Sequence, residues 1–257
     1  MRYQIIKAFF LSACLSVSLA TISPAHAAST DNSKLTNPFK PVVYKQLSPH
    51  QQLLNKMLRA APTANPKVIA MALSAMDCAL SDGMAPARNL TLIDYSLVST
   101  KPRLWVFDLV SGKLLFHELV AHGMKTGKNF ARNFSNTLGS HQTSLGLFRT
   151  KDTYVGGNGY SLRMEGLENG FNDLAMERKI VFHGADYVDL KLAQKLGHLG
   201  RSHGCPAVRK GVAQKVIDTI KGDQFLFSYY PDKHWLSTSK YLNCPHNQHL
   251  AQNTFTQ

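Results

Sequence analysis

Two hydrophobic rhythms divide the chain. Up to about residue 83 the apolar positions fall at helical spacing, and from Leu90 onward they alternate or run in blocks of strand length. Residues 50–61 (HQQLLNKMLRAA) predict a short helix. Asn65-Pro66 predicts the start of a second, with Asn as cap and Pro at the first helical position. Ile69, Ala72, Leu73, Met76 and Leu80 then share a face, and Gly83 is the stop. Strands are predicted over 90–97, 104–110 and 114–121, with Ser111-Gly112 as the turn between the last two. Further strands are predicted over 145–150, 161–167, 179–183 and 224–230, and helices over 188–196 and 212–220. The glycine-rich stretch 154–160 (YVGGNGY) predicts a turn or loop. Strands dominate and several follow one another through short turns. The expected fold is therefore α+β, β-rich and largely antiparallel, with short flanking helices and a small N-terminal helical lobe. Linker and lobe occupy 28–89, the main domain 90–230, and a polar tail with His234, His246 and His249 occupies 231–257.

The first residues follow neither rhythm. Arg2 and Lys7 precede an apolar run over 8–22, and Ala25 and Ala27 give a small-x-small site. This is the layout of a secretory signal peptide, 1–27, and predicts an exported protein of the periplasm or cell envelope. Leu11-Ser12-Ala13-Cys14 also resembles a lipidation site at Cys14, but the apolar run continues past it to Ile22.

Composition narrows the classes. At 257 residues, 44% hydrophobic and 18% charged, the chain supports a real core and is too apolar for disorder. The formal charge is +13, or +11 once the segment carrying Arg2 and Lys7 is removed. A basic exported chain is drawn to anionic cell-envelope surfaces. Without a dense Lys/Arg run interleaved with aromatics, no nucleic-acid partner is expected. Beyond residue 27 the cysteines are Cys78, Cys205 and Cys244. An odd count in an oxidising compartment suggests one pair and one reactive thiol.

The chemistry concentrates in 180–208. Cys205 follows Gly204 and precedes Pro206. A glycine there permits a sharp turn, predicting a partly exposed thiol at a strand-to-helix corner beside backbone N–H groups. His183 ends an apolar strand before Gly184. From the residues alone, a structural histidine and a buried, inert cysteine compete with a catalytic pair.

This segment resembles the signature of the murein L,D-transpeptidase catalytic family (YkuD-type): His-Gly on a strand, then Ser/Thr-x-Gly-Cys, here His183-Gly184 and Ser202-His203-Gly204-Cys205. Val120-Ala121-His122-Gly123, Phe134-Ser135-Asn136, Thr143-Ser144-Leu145-Gly146, 154–167, 178–185 and Gly200-Arg201-Ser202 resemble one subgroup of it. After the cysteine this chain has Pro206-Ala207-Val208 and a displaced Arg209, where better-known members carry an apolar residue and then Arg or Asn. The resemblance implies an L,D-transpeptidase-like β-sandwich with Cys205 as nucleophile and His183 as base. It further implies an oxyanion site from the N–H groups of His203, Gly204 and Cys205, with Ser202 near the pair, Arg201 and Gly184 on the substrate side, and no metal or organic cofactor. The implied substrates are peptidoglycan stem peptides, joined in 3→3 cross-links or trimmed as an L,D-carboxypeptidase. With Cys205 so reserved, Cys78 and Cys244 are the available pair, or stay unpaired. The alternatives are a zinc hydrolase using His183, His203 and Cys205, and a non-catalytic wall-binding module. His122 is a further candidate, against the plainer reading of a strand-end histidine bonded to backbone.

Overall fold

The computed structural model of the protein describes residues 46–245. The expected signal peptide, Cys14, the start of the linker, and His246 and His249 lie outside them. Two capped helices open the described chain. In α1 (Pro49–Ala60) the Ser48 hydroxyl accepts from Gln51 N–H and the Gln51 side chain accepts from Ser48 N–H, a reciprocal cap. In α2 (Pro66–Ser81) the Asn65 side chain accepts from Lys67 N–H and Pro66 fills the first position.

Eight strands follow: β1 (Asn89–Asp94), β2 (Leu104–Asp108), β3 (Leu114–Glu118), β4 (Gly146–Gly156), β5 (Gly159–Gly166), β6 (Val181–Ala185), β7 (Ala207–Arg209) and β8 (Phe225–Tyr229). They form one sheet in the order β3-β2-β1-β8-β4-β5-β6-β7. The β1–β8 and β6–β7 pairs are parallel and the other five are antiparallel, so the largely antiparallel expectation holds. After β6 come α3 (Leu190–Leu196), β7, α4 (Lys210–Ile220), β8 and α5 (Lys233–Thr238). The chain leaving β3 bridges to the far edge, Ala121 to Ala207 and Gly123 to Ser202. The two ends of the strand order are thereby joined, and sandwich-like packing comes from one sheet curled on itself.

Both faces of the sheet are buried. Leu90, Leu92, Trp105, Phe107, Leu147, Phe225 and Phe227 pack with α1, α2 and Trp235 of α5. The alternate residues Ile93, Leu104, Val106, Phe148 and Leu226 face a second core with Leu162, Phe182 and α4. Burial on two sides explains the continuous apolar blocks in the sequence. Each such side chain contributes about 1.5–3 kcal/mol.

Three expectations change. The stretch over 154–160 is the tip of the β4–β5 hairpin, with Tyr154, Val155 and Gly156 paired to Ser161, Tyr160 and Gly159. Its glycines mark the turn, but the strands run on to it. The polar stretch after Tyr230 contributes α5 and the fully buried Trp235. Trp235 Nε1 donates to the buried Glu168 carboxylate, which also accepts from Leu147 N–H. Cys78 sits in the buried stripe of α2, which also takes in Ala75 and Ala79 and is wider than the five-residue repeat. It is joined to Cys244 by a disulfide spanning 6.1 Å between α-carbons.

Candidate active site

The turn over 202–205 is held from three sides. Ser202 N–H donates to the His122 carbonyl at 3.0 Å, and Met124 N–H donates to the Ser202 carbonyl at 2.7 Å. The Ala121-His122-Gly123 segment is thus a backbone clamp along the turn. Gly123 is required by close approach, since a β-carbon there would lie 2.4 Å from the His141 carbonyl oxygen. Thr143 Oγ1 accepts from Gly123 N–H at 3.0 Å and donates to the Gly204 carbonyl at 3.3 Å. Gly204 has φ +124°, and a β-carbon on it would meet the Gln142 carbonyl oxygen at 2.8 Å.

Ser202 closes the turn from within. Its hydroxyl donates to the Cys205 carbonyl at 2.6 Å and accepts from Gly204 N–H at 3.1 Å. Gly204 N–H is therefore engaged, and of the three expected oxyanion donors the N–H groups of His203 and Cys205 remain.

Cys205 is the free cysteine among the described residues and is buried, 8% exposed, where a partly exposed thiol was expected. It lies just before β7, which leads straight into α4. Sγ accepts from Val181 N–H at 3.4 Å and faces the Lys179 carbonyl at 3.8 Å. Burial pushes the thiol pKa up, against the opposing pull of Val181 N–H and of the Arg178 guanidinium.

Strand register brings His183 to the same place. His183 pairs with Ala207 across β6–β7, two residues beyond Cys205. Its Nδ1 lies 3.0 Å from the Gly184 carbonyl. A carbonyl only accepts, so Nδ1 carries the proton and Nε2 is left as a base. Burial pushes the pKa of His183 down, with the Gly184 carbonyl opposing, which favours neutral imidazole. No hydrogen bond joins His183 to the thiol. The α-carbon of Gly184 packs on α4, where a β-carbon would sit 2.7 Å from Ala213 Cβ. Its place is thus a packing position whose carbonyl fixes the ring.

The remaining candidates disperse. Arg201 Nη1 donates to the carbonyls of Met124 and Gly127, both at 3.2 Å, and pins their loop. His203 is exposed and stacks on His141 with centroids 4.3 Å apart. Among the described residues no three His, Cys, Asp or Glu side chains gather as a metal site, so the zinc alternative lacks its ligand set. His122 is fully buried, with Nδ1 2.7 Å from Arg103 Nη2 and Nε2 3.3 Å from the Gly127 carbonyl. Burial, with Arg103 adding to it, takes its pKa down to about 3, so it stays neutral as a structural histidine.

Sequence reasoning missed the charge partner. Among the described residues Arg178 has no carboxylate within ion-pair reach. Its guanidinium donates to the Ser135 carbonyl (2.7 Å), Ser144 Oγ (2.5 Å), Ser140 Oγ (3.0 Å) and the Gln142 carbonyl (2.7 Å). Its place at the head of the segment 178–185 was the available signal, but without the fold it gives the arginine no role. A cavity of about 250 Å³ lies beside the thiol's anchors, lined by Tyr154, Arg163, Met176, Lys179, Ile180 and Val181.

Residues 60–229 match the family described as L,D-transpeptidase catalytic domain, well over half of the chain. No curated protein matches. Among solved structures the chain is similar to an L,D-transpeptidase from Mycobacterium smegmatis, with 13% identity, 56% of this chain and 59% of that one covered, and a TM-score of 0.36. It is also similar to the L,D-transpeptidase of Xylanimonas cellulosilytica, with 14% identity, coverages of 68% and 77%, and a TM-score of 0.32. The chain thus spans less than two thirds of the M. smegmatis protein's length.

Proposed function

The chain belongs to the L,D-transpeptidase catalytic domain family, and from that premise we propose that it is an exported cysteine acyltransferase acting on peptidoglycan stem peptides through a Cys205 thioester. The observation that carries this is the free thiol of Cys205, held in a glycine-dependent turn two register positions from an imidazole with a fixed Nδ1–H and an open Nε2. Export rests on the leader-like residues 1–27. The basic surface would favour an anionic wall.

The chemistry follows from the residues. His183 Nε2 takes the thiol proton, and sulfur attacks the carbonyl carbon of the third stem residue. The N–H groups of His203 and Cys205 stabilise the tetrahedral oxyanion, donors of a kind that contribute about 3–4 kcal/mol. The C–N bond breaks, and His183 returns the proton to the amine of the departing D-alanine. An amine from a second stem then resolves the thioester into a 3→3 cross-link, or water releases a shortened stem. Thiol and imidazole are not hydrogen-bonded at rest, so they must meet in the substrate complex, as is common for such pairs.

The test is a product assay. Purified protein is incubated with murein tetrapeptides and the products are weighed by mass spectrometry. Cross-linked dimers indicate transpeptidation, and tripeptide alone indicates carboxypeptidation. Binding to sacculi without either product would assign the chain a wall-binding role and overturn the proposal.

A further inference from the structure

We propose that Arg178 is the positioning residue that holds the Cys205 thiol in a reactive state, by supplying an uncompensated positive charge to the nucleophile turn. The inference rests on Cys205 being the nucleophile and adds a residue that the motif around it does not name.

Three observations carry it. The guanidinium is oriented by four acceptors, two carbonyls and two hydroxyls, and none of them is anionic. Its charge is therefore fixed in place but not neutralised, unlike Arg209 on Glu118 or Arg88 on Asp108. It also stands against the turn, since Nη2 would lie 3.5 Å from a β-carbon built on Gly204. Finally, Gln142 ties it in from the other side, its carbonyl accepting from Arg178 and closing on the bare α-carbon of Gly204. A half-buried cation without an anion is costly to keep. Here the missing anion is provided when Cys205 ionises, and again when a substrate carbonyl becomes an oxyanion beside it.

The other groups facing the thiol do not substitute for it. Tyr95 and Tyr187 act on the thiol through their own negative charge when ionised, and burial pushes both phenols up and keeps them neutral. His183 is neutral at rest for the same reason. Val181 N–H and the Lys179 carbonyl are backbone dipoles. Arg178 is the full charge in the set, and the thiolate in turn holds up the guanidinium against desolvation. The arginine also pins the 135–144 loop, so loss of activity alone would not separate the two roles.

The experiment is the pH profile of iodoacetamide alkylation at Cys205, read by mass spectrometry of the peptide containing residue 205, in wild type, Arg178→Lys and Arg178→Gln. It needs no murein substrate, so it can fail while the proposed reaction stands, and the converse. An opposite charge within about 4–6 Å shifts a pKa by about 1–3 units. The expected result is a midpoint moved up by about one pH unit in Arg178→Gln, a rate about tenfold lower at pH 8, and recovery of most of the shift in Arg178→Lys. An Arg178→Gln protein that melts like wild type and keeps the wild-type midpoint would overturn the proposal. Should Arg178→Gln not fold, the neutral Arg178→Met takes its place in the same assay, and a midpoint that fails to rise above the wild-type one would overturn the proposal and assign the arginine to loop support only.

Discussion

The helical face of the sheet and the nucleophile turn are held by different forces. On one, α1, α2 and α5 close over Leu92, Trp105, Phe107 and Phe227 by apolar contact. A disulfide and one buried carboxylate, Glu168, fasten the C-terminal end to it. On the other, Arg103, Arg178, His122, Thr143 and Ser202 wire loops together by hydrogen bonds around Cys205. The first arrangement is non-directional and supplies stability in bulk. The second is directional, and its value lies in where it places a few atoms. Changes on the helical face should therefore move stability and spare the chemistry, and changes at the turn should do the reverse.

The largest effect is expected at Trp235, which is fully buried and donates to Glu168. Trp235→Ala removes a large side chain and a donor to a buried carboxylate, costing about 3–5 kcal/mol in urea unfolding. Turnover measured below the new transition should stay within a few-fold of wild type. Opening the Cys78–Cys244 disulfide by Cys244→Ser comes next. It frees a loop of 166 residues, for which the chain-entropy model allows about 5 kcal/mol and measured bridges typically give about 2–4 kcal/mol, seen as a lower Tm at unchanged alkylation rate of Cys205.

At the turn the order reverses. Ser202→Ala loses the bonds to the Cys205 carbonyl and to Gly204 N–H. Each contributes about 1 kcal/mol to stability, so Tm should fall by only a few degrees, while product formation falls about tenfold or more as the turn loosens. If Tm falls as far as in Trp235→Ala, the division between the helical face and the turn is wrong. The smallest effect is a matter of pH. Burial holds the Cys205 thiol above its ordinary value. The protonated form therefore dominates at neutral pH, and the alkylation rate should keep rising with pH beyond about 8.5, the ordinary midpoint. A plateau reached near pH 7 would contradict that sign.

The helical face was the more legible of the two in sequence. Asn65-Pro66 and the α2 repeat declare a helix locally, and the alternating strands declare themselves through side chains that must be apolar. Trp235 was missed because its neighbours are polar and its partner, Glu168, is far off in the chain. The hairpin tip over 154–160 was misread because three glycines outweigh two strand ends. At the site, the Gly204-Cys205 turn and its clamp segments showed as motifs. What each segment does there did not, because Ala121, Gly123, Thr143 and Arg178 act through backbone contacts that only the curled sheet creates. The burial of Cys205 is of the same kind, set by Val181 and Lys179 across the strand.

The most direct test is the mass of the protein itself after brief exposure to a murein tetrapeptide and rapid acid quench. The account predicts a covalent acyl group on the peptide containing residue 205, sensitive to hydroxylamine as a thioester is, and lost together with all product in Cys205→Ala. Product formed by Cys205→Ala at the wild-type rate, with no adduct on the wild type, would contradict it.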